Sequence, residues 1–556
     1  MYRKSRAVAL FLLSLLTVGS LTFGQAFAAG EDSRFDALKR FSQVLDIVER
    51  YYVKETPRPD LVNGALKGML ESLDPHSTML SKEEFKDMQE STSGEFFGIG
   101  IEITMENNQL TVVTPIEDTP ADKGGMKSGD IILAVGGKPT LEMTLQEAVS
   151  HIRGPKGSEV VLTILHRDSK EPVDLRIKRD AIPLISVKSR ELEPGYYWVR
   201  LTRFSERTTQ ELLDALSDAK RKGPIKGIIL DLRNNPGGLL DQAVSVSDAF
   251  LNKGVIVSMR GRQEETAREF VAKPQDTDII DTPLVVLVNG GSASASEIVA
   301  GALQDLDRAV LIGQRSFGKG LVQTTRPLGY NTMLKLTTAK YYIPSGRCIQ
   351  AIDYSHSQEG SVRVVPDSLV SEFTTRAGRK VYDGGGIMPD IATEPEYISR
   401  FAATLYALGF IEDFGDDYTR RHPGQRIDLR TFSITDADYA DFVEFMQDKE
   451  VPYESDTRRA LKALKKAAED DRFAELKERF ERVEAELKDD TRTNLETYRE
   501  QVVDAINNDI VLRHGYTAGV IEHALPGDRE VTEAVAVLRD SAEYARITRE
   551  QDTRRK

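Results

Sequence analysis

The stretch Leu284-Val285-Val286-Leu287-Val288-Asn289-Gly290-Gly291-Ser292-Ala293-Ser294-Ala295-Ser296-Glu297-Ile298-Val299 runs from five apolar residues through a glycine turn into a helix. Small side chains crowd the junction. A hydroxyl there sits at the carboxyl end of a sheet strand and at a helix N-terminus, where free amides and the helix dipole favour developing negative charge. The same residues support a plainer reading. Ser294-x-x-Glu297 is a capping box, in which serine only satisfies an orphan N–H.

Outward from this turn, strands at 197–201, 227–232, 284–289 and 309–312 alternate with helices at 208–222, 239–251 and 294–306. That order argues a multidomain α/β protein whose residues 183–395 form a largely parallel central sheet. Residues 94–182 instead carry short alternating apolar runs and one amphipathic helix at 144–152, a β-rich module. Residues 29–93 read as a helical lead-in and residues 396–556 as a charged helical extension. Within the extension, Phe473, Leu476, Phe480, Val483 and Leu487 repeat at 3-4-3-4 spacing. This two-heptad seam fits either an oligomer or adaptor contact or a helix folded back on its own domain.

With 556 residues, 40% hydrophobic and 29% charged, the chain is too long for one core and too apolar to be disordered. Its net charge of −14, without a basic block interleaved with aromatics, excludes nucleic acid as the expected partner. Residues 1–28 show Arg3, Lys4 and Arg6, an apolar run over 7–23 and the triplet Ala26-Phe27-Ala28, the layout of a secretory signal. We therefore expect an exported protein, periplasmic in a double-membrane bacterium and membrane-anchored only if that segment is retained. Cys348 is the sole cysteine, so no internal disulfide and no CxxC chemistry is available.

A hydrolytic serine needs a base. The seven histidines are scattered over other segments, and none lies beside the 284–299 turn or forms HExxH spacing. The next candidate is Lys319, in Ser316-Phe317-Gly318-Lys319-Gly320-Leu321-Val322-Gln323, directly after the following strand. A lysine serves as general base if burial pulls its pKa from about 10.4 toward neutrality. In an extended stretch the side-chain period of two sets Lys319, Leu321 and Gln323 on one side. The Gln323 amide would then orient the amine without adding charge. Two rival motifs share this lysine. Gly313-x-x-x-x-Gly318-Lys319 has phosphate-loop spacing, yet position 320 is Gly where Ser or Thr must reach magnesium. Ser316-x-x-Lys319 mimics the penicillin-recognising pattern, which needs a helix that Gly318 disfavours. No metal or organic cofactor is called for.

Phe97-Gly98-Ile99-Gly100-Ile101, opening the β-rich module ahead of a helix carrying Leu145, Val149 and Ile152, resembles a PDZ domain. That resemblance implies a glycine-containing loop for a peptide's terminal carboxylate, an edge strand that pairs with the peptide, and an apolar pocket lined by the helix. Phe97, Gly98, Ile99, Gly100, Ile101, Leu145, Val149 and Arg153 are its candidate substrate-binding residues.

Residues 291–298, Phe317-Gly318-Lys319-Gly320, Gln323 and Asp231-Leu232-Arg233-Asn234-Asn235-Pro236-Gly237-Gly238 together resemble the carboxyl-terminal processing peptidases, serine endoproteases with an inserted PDZ domain. Leu73-Asp74-Pro75-His76-Ser77, Arg153-Gly154-Pro155-Lys156-Gly157, Tyr342-Ile343-Pro344-Ser345-Gly346 and Gly384-Gly385-Gly386-Ile387-Met388-Pro389-Asp390 extend the likeness over residues 35–395, leaving 396–556 outside it. Lys319 follows Ser294 by 25 residues and Gln323 follows Lys319 by four, the family's spacing, which selects Ser294 over Ser292 and Ser296. The resemblance implies a crotonase-like core. It also implies an oxyanion hole from the Ala295 amide and that of Gly237 or Gly238, between which the sequence does not choose.

The expected activity is an exported serine endopeptidase that takes apolar, flexible C-terminal tails in its PDZ groove and cuts them through a Ser294 acyl-enzyme, with Lys319 as base. The competing expectation is a catalytically silent PDZ scaffold or holding protein. Arg153, closing the PDZ helix, reads either as a sensor bridging to the protease core or as an ordinary helix C-terminal arginine.

Overall fold

The computed structural model describes residues 35–549 apart from 107, 168, 275–277, 330–331, 354–362, 365–369, 396 and 488–489. The expected export segment lies outside the described residues. The described residues fall into two compact units, one built from 35–85 with those described among 322–338 and 353–363, the other from the remaining described residues.

In the first unit the helix Arg58–Glu71 starts after Pro57, whose fixed φ suits a helix entry. A strand Thr78–Leu80 follows and pairs antiparallel with Met333, Leu334 and Lys335. The turn between them is held by Asp74, whose carboxylate accepts the His76 and Ser77 N–H groups at 2.8 Å each and the Ser77 hydroxyl at 2.9 Å.

Among its described residues, the second unit has at least three cores. Strands β1 (Ile101–Glu106), β2 (Gln109–Pro115), β3 (Ile131–Val135), β4 (Glu159–Leu165) and β5 (Val173–Lys178) form an antiparallel sheet in that order. Helix α1 (Leu145–Ile152) closes it, capped by a Thr144/Glu147 box. Ile99, Val112, Ile132, Ala148, Leu162 and Ile164 fill the space between.

The central sheet orders β6 (Val187–Glu193), β7 (Tyr196–Leu201), β8 (Gly227–Asp231), β9 (Leu284–Val288), β10 (Val310–Gly313) and β11 (Ile391–Ala392). Only the β6–β7 pair is antiparallel. Helices α2 (Thr208–Lys222), α3 (Leu240–Asp248) and α4 (Ala295–Asp305) make its crossovers and pack on one another. Every residue of β8, β9 and β10 is buried, so both faces are covered, as their unbroken apolar runs require.

The third core joins α5 (Phe410–Arg421), α6 (Arg499–Ala524) and neighbouring helices around Phe401, Phe414, Phe442, Ile506 and Ile510. The next two helices leave it. Val531, Ala534, Val537 and Leu538 of α7 (Arg529–Arg539) pack on Trp198, Ile229, Val285, Leu287, Val310 and Ile312 of the central sheet, with Tyr544 and Ile547 of α8 (Ser541–Arg549) beside them. The helical extension therefore supplies one layer of the central domain.

The heptad seam is not continuous. Arg472 takes a φ of 63° after the helix Asp456–Asp470, and Phe473 lies ahead of the short helix Lys477–Glu486. Phe473 and Val483 stay exposed. No helix among the described residues is long and apolar enough to cross a membrane.

Candidate active site

The turn between β9 and α4 carries three serines in different situations. The Ser292 hydroxyl donates to the Leu232 carbonyl at 2.8 Å and accepts the Asn289 N–H at 2.9 Å. That of Ser296 donates to the Asn235 carbonyl at 2.8 Å. Both side chains are fully buried and committed to the scaffold. Ser294 is half-buried, with φ 57° and ψ −112°, a backbone region costly for any residue with a Cβ. Its neighbourhood has the capping-box arrangement, yet the Glu297 N–H makes its 2.9 Å bond to the Ser294 carbonyl. The Ser294 hydroxyl instead meets the phenol of buried Tyr341.

Glu297 does more than cap. Its Oε2 accepts the main-chain N–H of Ser294 and of Lys319, each at 2.8 Å. Its Oε1 accepts the Ser316 hydroxyl at 2.5 Å and the Gly318 N–H at 2.7 Å. Four donors fill an ionised carboxylate. The Ser294 and Lys319 nitrogens therefore lie within two hydrogen-bond lengths of each other. Burial pushes the Glu297 carboxyl above the usual range, against the pull of those donors. Tyr341 secures the same segment by donating to the Lys319 carbonyl. Ser316 sits in a loop, not a helix, and its hydroxyl also accepts the Ile387 N–H at 2.7 Å, so the penicillin-type pattern lacks its geometry.

The Asn234–Gly238 loop leaves β8 and lies against the turn. A Cβ on Gly237 would stand 2.9 Å from both Ser294 Cβ and the Ala295 nitrogen. Its φ of 98° already requires glycine. Asn234 and Asn289 exchange bonds at 2.9 and 3.0 Å, and the Asn235 carbonyl accepts the Ala293 N–H at 3.0 Å. The Gly237 N–H is committed to Asn235 Oδ1 at 2.9 Å. Gly238 is exposed, and neither its N–H nor that of Ala295 donates to an acceptor among the described residues.

Lys319 precedes the strand Leu321–Gly329, so the period of two begins only at Leu321 and does not extend back to the lysine as expected. Gln323 lies on that strand, in the first unit, where its amide donates to Thr337 Oγ1 at 3.2 Å.

In the β-rich module, the Ile99 side chain is packed into the core, so what it offers a peptide is its backbone. Gly100 has φ 83°, and a Cβ there would collide with Thr119. The Ile99 and Gly100 N–H groups donate to no acceptor among the described residues. β1 is an edge strand, Phe97 and Leu145 are each 38% exposed, and Val149 is half-buried on α1. Arg153 bonds Asp87 at 2.8 Å and Glu90 at 3.1 Å on the helix Lys82–Ser93 and stacks over Phe96. It thus pairs with the helix leading into the module, not with the catalytic loops. The module is also tied to the helical domain, where Arg167, bonded to Glu106 within the module, bonds Asp416, and the Tyr516 hydroxyl donates to Asp122 at 2.9 Å.

Comparison with known proteins bears on all of this. The chain is 52% identical over 326 residues to the carboxy-terminal-processing protease of Bartonella bacilliformis, covering 58% of this chain and 74% of that one. It belongs to the carboxy-terminal-processing proteases. This membership makes it a serine-type peptidase and sets aside the silent scaffold. The carboxy-terminal processing protease CtpA of Bacillus subtilis is 40% identical over 343 residues, 62% of this chain and 72% of that one. Residues 195–369 match peptidase family S41 and residues 111–165 a PDZ domain, while residues 22–84 match the activating protease CtpB N-terminal domain. Residues 401–538, outside the resemblance read from sequence, match the probable PDZ-protease C-terminal helical domain. A solved photosystem II D1 C-terminal processing protease is 26% identical with a TM-score of 0.35, covering 66% of this chain and 95% of that one.

Two features of this protease escaped the sequence reading. Glu297 was seen only as half of a cap. Asp528 and Glu530 have no local signature at all, and Arg233 stands in the Asp231–Gly238 motif without a role of its own.

Proposed function

We propose that this protease is an exported endopeptidase that holds the apolar, flexible C-terminal tail of a protein against β1 and α1 and cleaves that chain through a Ser294 acyl-enzyme. The Ile99 and Gly100 amides would receive the terminal carboxylate. Lys319, as free amine, takes the Ser294 proton, Gln323 orients the amine, and Lys319 then protonates the leaving nitrogen before water attacks the ester. The amides of Ala295 and Gly238 stabilise the tetrahedral oxyanion. We favour Gly238 over Gly237 because the Gly237 N–H is already taken by Asn235. A crotonase-like core, export to a periplasm, and assembly with an adaptor or a second copy through the C-terminal helices complete the reading.

The observation that carries it is the single Glu297 oxygen shared by the Ser294 and Lys319 backbones. It joins the strained serine to the lysine segment by a contact that a cap alone has no use for. Incubating a denatured protein with the wild type, Ser294→Ala and Lys319→Ala tests it. Both variants should lose several orders of magnitude in turnover while keeping the wild-type melting temperature. Retained cleavage in Ser294→Ala overturns the assignment.

A further inference from the structure

Arg233 is the residue immediately before the Asn234–Gly238 loop, and its guanidinium is saturated. Its Nε and one terminal nitrogen bond the two Asp231 oxygens at 2.9 and 2.6 Å. The terminal nitrogens reach Asp528 at 2.7 and 3.2 Å and Glu530 at 2.8 Å. Asp231 is locked in turn by the Trp198 indole N–H at 3.0 Å. Asp528 caps α7 by accepting the Glu530 and Val531 N–H groups at 3.0 Å each. The other oxygen of Glu530 accepts the Gln314 amide at 2.5 Å and the Thr393 hydroxyl at 2.6 Å. Gln314 directly follows β10 and opens the segment that continues through Ser316 to Lys319; Thr393 follows β11. One helix start in the C-terminal extension is therefore bonded to the chain leaving β8, β10 and β11 at their carboxyl ends.

We propose that Asp528 and Glu530 are positioning residues for the peptidase, holding the Asn234–Gly238 loop and the Gln314–Lys319 segment in mutual register. The inference rests on the Ser294 reading given above. Neither carboxylate needs to touch substrate. Arg233 makes five directed bonds, a bidentate pattern that fixes the orientation of the group as well as its position. Asp231 alone would leave part of that fork without a protein acceptor. The helix supplies the missing acceptors and passes the same constraint, through Glu530 and Gln314, to the lysine side of the site.

Full-length Asp528→Asn, Glu530→Gln and the double variant, assayed on a peptide with a flexible apolar C-terminus, test this. A displaced oxyanion loop should lower kcat by about 10- to 100-fold with KM within about threefold of wild type, since misplacement of order 1 Å costs that much. Amide hydrogen exchange supplies a readout that does not need turnover, and it should quicken over both 233–239 and 314–320 together. Wild-type kcat in a folded double variant, or exchange that quickens only over 525–540, overturns the proposal. If the double variant does not fold, Glu530→Gln, which leaves the Asp528 cap intact, gives the same two readouts. Absence of Ser294-dependent cleavage in the wild type would overturn the Ser294 reading instead, and the exchange pattern would still decide whether the clamp exists.

Discussion

Glu297 Oε2 accepts the main-chain N–H of Lys319 at 2.8 Å. The oxygen is shared with Ser294, and the carboxylate's other oxygen holds Ser316 and Gly318. A neutral amide in its place keeps the volume but turns an NH2 toward two donors. Glu297→Gln should therefore lose most activity and some stability, as hydrogen bonds to a charged group are worth about 1.5–3 kcal/mol each. Thermal melting and kcat on one substrate check both. Unchanged kcat would show that the tie between the two segments does not matter to turnover.

Gly238 offers the second test. Its φ of 147° and the closeness of the Phe204 carbonyl leave no room for a Cβ. Gly238→Ala should move the amide away from Ser294 and reduce kcat by about 10²- to 10³-fold, the usual loss for one oxyanion donor, with little change in KM. A fall in KM-linked binding alone would point to a role in holding substrate.

Glu412 makes the third case, on α5 where the helical domain meets the PDZ domain. Burial, together with the charges of Glu106 and Asp509, pushes its carboxyl up to about 7, against the pull of Arg167 and Arg513. Asp416, bonded to Arg167 and Arg513, belongs to the same cluster. The folded chain thus keeps this proton at a pH where the unfolded chain has released it. Stability contributed here declines as pH rises from about 4.5 to about 7. Melting temperatures over that range should fall less steeply for Glu412→Gln than for wild type, and identical slopes would contradict the assignment.

Local order in the sequence made much of the fold readable. The apolar run 284–288, the glycine turn and the helix after it are found within a residue of their expected limits, as is the helix Thr208–Lys222. Periodicity and turn chemistry act over a few residues, so they leave a trace in a short window. Strand-like alternation does not say which face meets the core, and the burial of the Ile99 side chain had to come from the structure. The heptad spacing from Phe473 to Leu487 does not run along one helix, since Phe473 and Leu476 lie ahead of the short helix Lys477–Glu486 and Leu487 follows it. Arg233 meets Asp528 and Glu530 almost 300 residues away, and nothing near either end of that pairing announces the other.

The face of the central sheet covered by α7 is formed from residues between Trp198 and Ile312, whereas Val531, Ala534, Val537 and Leu538 are made much later. During synthesis the ribosome therefore releases Ser294, Lys319 and both loops well before the helix that covers this face. Until residues 531–538 have been made, that apolar face lacks the cover of α7.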